Sequence, residues 1–191
     1  NVIADNIFML DGNKPSESDR NLLIETMDMM AGFNKLPIAV AGSVYNSSIE
    51  FTVSSVYREG NSMAQRFKLA EESYEALGTG VRKDLGDNIK KAFRNVDELL
   101  AGEGIEVNDE NRRVARVLGY NSIEITIETV QTMGNIVSQL DLVTKNLTPK
   151  AAVHLIRNGI NPLNTNIEEL NVQLMELNAK LYEEDNTEKY S

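Results

Sequence analysis

The chain has 191 residues, 41% hydrophobic and 25% charged, with no cysteine and no tryptophan, which describes one compact domain or two small ones with enough apolar mass for a core. The lack of cysteine excludes thiol nucleophiles, disulfides, thiolate zinc sites and iron–sulfur clusters. Nineteen bases against 29 acids leave a formal charge of −10, which repels a phosphate backbone unless a local basic patch overrides it, so nucleic acid is not an expected partner.

The aromatic content is 6%, too low for a groove that stacks sugars or bases. The most apolar short run, residues 36–44, falls well short of the roughly 18 to 20 residues that span a bilayer, so no membrane span is expected. The chain opens at Asn1 without a basic-then-apolar signal pattern. Cysteine usage fits both a reducing cytosol and export, so the compartment stays open.

In chain order, Ser16 in GNKPSESDR stands where it would cap a first helix. The stretch SIEFTVSSVYREGNSM from Ser48 then has Thr52 as an N-cap, with Phe51 and Val56 as a hydrophobic staple and helical spacing onward through Met63, Phe67 and Leu77. A glycine turn follows at Gly78 to Gly80, and a further helix begins near Asp87. In the second half Asn108 in GIEVNDENR caps a helix, and Thr126 caps another with Ile125 and Val130 as its staple. Ile123, Ile125 and Ile127 alternate with polar residues as in a strand, but an extended entry into a helix explains more of the pattern. Thr148-Pro149 marks another start, and Thr165-x-x-Glu168 reads as a capping box. The last helix carries Leu163, Ile167, Leu170, Leu174, Leu177 and Leu181 at four- and three-residue spacing. Its flanking Asn171, Gln173, Asn178 and Lys180 carry almost no charge to select a separate coiled-coil partner. Packing within a monomer is therefore favoured over a homodimer along Leu163 to Leu181. An acidic, fraying tail is expected over residues 183–191.

These elements occur twice. Residues 48–63 and 122–137 align without a gap and share seven identities in sixteen positions, where unrelated sequence gives about one. The identities include Ser48/Ser122, Glu50/Glu124, Thr52/Thr126 and Gly60/Gly134. Tyr45-Asn46 and Tyr120-Asn121 match after a one-residue slip, and residues 80–91 resemble 159–169. The expected fold is all-α: tandemly duplicated helical-hairpin units in a compact array or small solenoid. Its units are residues 1–100 and 101–182, with the boundary near Ala101 to Glu103.

Candidate chemistry is sparse. His154 is the only histidine, and no serine elbow or ligand-spaced carboxylate accompanies it, so it reads as a helix residue. The Gly78-Thr79-Gly80-Val81-Arg82-Lys83 segment lacks the spacing of a phosphate loop and reads as a helix-ending turn. Glu71-Glu72, Glu168-Glu169 and Glu183-Glu184-Asp185 lack calcium-loop spacing. Neither metal nor cofactor is expected. Arg112, Arg113 and Arg116 form the densest basic spot and are the candidate partner-binding residues, although pairing with Asp109 and Glu110 is the plainer account. Gly60 and Gly134 recur inside predicted helices at a cost of about 1 kcal/mol each, which implies a helix break or a close backbone crossing, with a pair of weak grooves as a further reading.

The stretches NRRVARVLGYNSIEIT, LTPKAAVHLIRNGINPL and NTNIEELN resemble an uncharacterised family of Firmicute helical-repeat proteins similar to flagellar hook-length-control proteins. The resemblance implies an all-helical fold, a connection to flagellar assembly and no catalytic residue to transfer. The expected function is a non-enzymatic helical scaffold that binds a protein partner within a flagellar or cell-surface assembly. The alternatives are a small-ligand module with a pocket between the repeats and a carboxylate-based hydrolase.

Overall fold

A computed structural model describes residues 15–79 and 95–190, with side chains to Thr187. Residues 12–14, 80–83 and 87–91, which carry part of the repeat reading, lie outside the described residues. Among those described there are eight α-helices: α1 Glu17–Phe33, α2 Ala41–Tyr45, α3 Val53–Leu69, α4 Val96–Gly102, α5 Asp109–Tyr120, α6 Ile127–Asn146, α7 Pro149–Arg157 and α8 Ile167–Tyr190. Two 3-10 turns, Ile38–Val40 and Leu77–Thr79, complete the set.

Local chemistry places the helix starts. Ser16, Thr52, Asn108, Thr126 and Thr148 each accept a hydrogen bond from the amide three residues on, at 2.8 to 3.2 Å. Each such cap is worth about 1 kcal/mol. Thr52 and Thr126 are extended, with φ of −127° and −133°. The isoleucine alternation is thus an entry into α6 and not a strand. Thr129 returns a hydroxyl to the Thr126 amide at 2.9 Å and completes a capping box. The Thr165 reading is corrected: Asn166 Oδ1 accepts from the Glu168 and Glu169 amides at 2.9 and 3.3 Å. Thr165 instead donates back to the Asn161 carbonyl at 2.7 Å. Both residue types cap helices well, and the turn that begins at Asn161 claims the threonine hydroxyl.

The same helix ending precedes both threonine caps. Tyr45 and Tyr120 close α2 and α5, and Ser47 and Ser122 both adopt φ of 56°. The amides of Ser48 and Ile123 then reach back to Ser43 and Leu118 carbonyls at 2.9 Å, a Schellman closure with serine in the place glycine usually takes. Four residues separate Ser47 from Thr52 and three separate Ser122 from Thr126, which accounts for the one-residue slip.

One hydrophobic core runs through both halves, from Leu23 and Phe33 to Leu170 and Leu174. Helices cross the expected boundary to pack: α1 lies on α7, and α2 on α5 and α6. The Ile167 amide donates to the Phe51 carbonyl at 2.8 Å, and the Ser54 amide to the Leu163 carbonyl at 3.1 Å, joining the entries of α3 and α8. Asn121 reaches from the end of α5 to the Ala39 carbonyl at 3.2 Å. Its amide group occupies the space where any Cβ on Gly42 would stand, so a larger residue there would push the Asn121 side chain off the Ala39 and Val117 carbonyls.

Neither recurrent helix glycine breaks its helix. A Cβ on Gly60 would stand 2.8 Å from Leu36 Cδ2, so a side chain and not a crossing backbone fills that space. The nearest atom to a Cβ on Gly134 is Val114 Cγ2 at 3.8 Å, an ordinary contact. No helix among the described residues is long and apolar enough to cross a membrane.

Candidate interaction surface

The arginine cluster on α5 divides between interior and surface. Arg113 is buried, with Nη1 and Nη2 on the Asp141 carboxylate at 2.7 and 3.2 Å and Nη2 also on the Leu77 carbonyl at 2.9 Å. Arg116 is buried as well and grips Glu75 at 3.1 and 2.9 Å through Nε and Nη2. The Tyr120 hydroxyl donates to the same carboxylate at 2.9 Å. Burial, followed by the neighbouring Glu75 charge, pushes the Tyr120 phenol above its usual pKa. Arg112 alone faces outward, bonded to Asp97 at 2.9 and 3.2 Å and to Asp109 at 3.0 Å. That hydrogen bond holds the Asp97 carboxyl below its usual range. The expectation of a common docking patch is therefore corrected for Arg113 and Arg116. Both are interior struts: Arg113 ties α5 to the Leu77–Thr79 turn and to α6, and Arg116 ties it to Glu75 just ahead of that turn.

His154 is half-buried on α7, and its backbone carbonyl accepts from the Asn158 amide group at 2.8 Å. Among the described residues no group of three or more His, Asp or Glu side chains converges as a metal site requires. A cleft of about 390 Å³ lies between α1 and the α6–α7 corner, lined chiefly by Met27, Met30, Leu147, Pro149 and Ala152. It thus sits where elements of the two halves meet.

The most distinctive surface is on α8. One face is anchored: Ile167, Leu170 and Leu174 are fully buried, and the Asn171 amide donates to the Gln139 carbonyl and side chain at 2.9 and 2.7 Å. Asn135 donates to Glu168 at 3.3 Å, so residue numbers rise together along α6 and α8 and the helices run parallel. In that register α6 ends at Asn146, beside residue 178 of α8. Leu177 and Leu181 are for this reason only half-buried, since their seam outlasts its partner. The helix continues to Tyr190, where a fraying tail was expected from residue 183.

A neighbouring, outward face of α8 carries a second apolar row. Val172, Met175 and Tyr182 are 57, 59 and 69% exposed, and Ala179 between them is exposed too. Their three-four-three spacing keeps them on one side of the helix. Glu169, Glu176 and Glu183, all exposed, run beside the row at intervals of seven residues. The sequence reading followed only the leucine seam and passed over this row, whose members are chemically mixed.

Over residues 1–191 the chain matches a family of unknown function, DUF6240, and it belongs to that family. No curated protein and no solved structure matches it.

Proposed function

We propose that this member of DUF6240 is a non-enzymatic helical scaffold that binds a protein partner through the outward face of α8. The observation that carries the proposal is the exposed row Val172, Met175, Ala179 and Tyr182 on a helix whose other face is fixed in the core. Contiguous exposed apolar surface of this kind marks contact sites. A helix already held in place also avoids the ordering cost that a disordered segment meets on binding. The recurring turn and threonine cap support descent from a duplicated helical-hairpin unit, and the sequence resemblance points to a flagellar or cell-surface assembly as the setting.

The test is a photo-crosslinking residue placed at Ala179 in cells, compared with one at exposed Lys150 on α7. The scaffold reading expects a discrete crosslinked species at Ala179 that disappears when Met175 and Tyr182 become glutamine. Equal labelling at both sites, or persistence in the double variant, would count against it.

The cleft between α1 and the α6–α7 corner favours a second reading, a small-ligand module. Its volume, about 390 Å³, lies within the range of small-molecule pockets. Thermal shifts across a metabolite panel separate the two readings, because a ligand at about 100 times its Kd adds about 2.7 kcal/mol.

A further inference from the structure

The outward row of α8 has the geometry of a coiled-coil seam. With Val172 and Ala179 at heptad position a, Met175 and Tyr182 fall at d. Glu169, Glu176 and Glu183 then all fall at e, whereas Asn171, Asn178 and Asp185 fall at g. The two flanks differ in access as well as charge. On the g side Asn171 is buried against Gln139 of α6, while the three e-position glutamates stand in solvent. A docking helix thus meets a neutral-to-acidic flank next to the protein body and an acidic flank on the open side.

Resting on the docking role proposed above for this face, we propose that its occupant is a basic amphipathic helix of another protein. That helix would present apolar residues at its own a and d positions and lysine or arginine opposite Glu169, Glu176 and Glu183. Flanking charges set partner choice and orientation in such pairs. A second copy of this chain fits poorly. An antiparallel pair sets the e rows against each other, glutamate on glutamate, and a parallel pair sets them against Asn171, Asn178 and Asp185, which include no cation. The footprint is short. Glu168 occupies the preceding d position and is bonded to Asn135, and Asn186 occupies the next a position, so the apolar row covers residues 172–182, about 16 Å of helix. Specificity from the charged flank therefore carries more weight than it would along a long zipper.

The test titrates three labelled heptad peptides onto the full chain and follows anisotropy together with the Met175 methyl resonance. One peptide has leucine at a and d with lysine at e and g. The second exchanges lysine for glutamate, and the third keeps lysine but has serine at a and d. The lysine–leucine peptide is expected to bind at least about tenfold tighter than its glutamate counterpart, from a few exposed pairs of modest strength each. It should shift the Met175 methyl, and Glu176→Lys with Glu183→Lys should reverse the order. The serine peptide should not bind, and Met175→Gln with Tyr182→Gln should abolish binding without lowering the melting temperature, since both residues are exposed. Equal affinity for the lysine and glutamate peptides overturns the basic partner while leaving the docking face intact. Binding of the serine peptide as tightly as the leucine peptide shows bulk attraction to an acidic protein and overturns the proposal. Failure of every peptide, or a homodimer through this face in light scattering, overturns it as well, and failure of the Ala179 crosslink removes the docking role beneath it.

Discussion

Replacing Glu75 by glutamine tests what the buried arginine network contributes. The Arg116 and Glu75 side chains are only 5 and 1% exposed and share two hydrogen bonds, at 2.9 and 3.1 Å. In Glu75→Gln the shape and the acceptor for Tyr120 survive, but the Arg116 guanidinium is left in the interior without a counter-charge. Breaking one side of such a pair costs about 3–5 kcal/mol. That is a large part of the roughly 5–15 kcal/mol that stabilises a typical domain. With a urea dependence of about 1–3 kcal/mol per molar, the unfolding midpoint should fall by at least about 1 M. Asp97→Asn is the internal control, because Asp97 and Arg112 are 55 and 38% exposed and a solvent-screened pair of that kind contributes little. Combining Glu75→Gln with Arg116→Met should cost less than the sum of the two single changes, since neither buried charge then remains. Urea unfolding monitored by far-UV circular dichroism measures all four variants. If Glu75→Gln loses no more than Asp97→Asn, the pair is not the strut described here.

Other outcomes follow from single positions. Gly134→Ala should raise stability by about 1 kcal/mol, because its Cβ meets only an ordinary contact, whereas Gly60→Ala should lower it by forcing Leu36 aside; calorimetry reads both signs. Asn166→Ala should cost about 1 kcal/mol and fray the start of α8, and Thr165→Ala should cost less, as amide exchange at Glu168 and Glu169 would show. The Tyr120 phenol titrates above its usual range in the folded state. Its contribution should be intact below about pH 10 and diminish as the pH rises through the folded value, because the unfolded chain releases that proton first. In alkaline melts Tyr120→Phe should fall off less steeply than the parent chain.

How far the molecule can be read from its sequence depends on the range of the interaction. Thr52 and Thr126 were legible as caps because their partners lie three residues away and the chemistry is complete within one turn. The choice between Thr165 and Asn166 went the wrong way because two good caps stand side by side and the Asn161 carbonyl decides between them. Arg113 and Arg116 looked like a surface patch because helix arithmetic shows which residues share a face but not which face turns inward. Their carboxylate partners, Asp141 and Glu75, are 28 and 41 positions distant. The buried seam of α8 was visible as leucines. Its loss of cover near residue 178 depends on where α6 ends in space, and that follows only from the parallel register of the two helices.

The bond from the Ile167 amide to the Phe51 carbonyl has a consequence for synthesis. Chains emerge from the ribosome from the amino end, and residues 51–56 of the first half complete their surroundings only when residues 163–167 arrive more than a hundred positions later. The early helices can form on their own, since helix formation is local, but the entry of α3 lacks its backbone partners until residues 163–167 have been made. A nascent chain stalled before residue 163 should therefore be recognised by chaperones and proteases as an unfinished protein, even with seven of its eight described helices already synthesised.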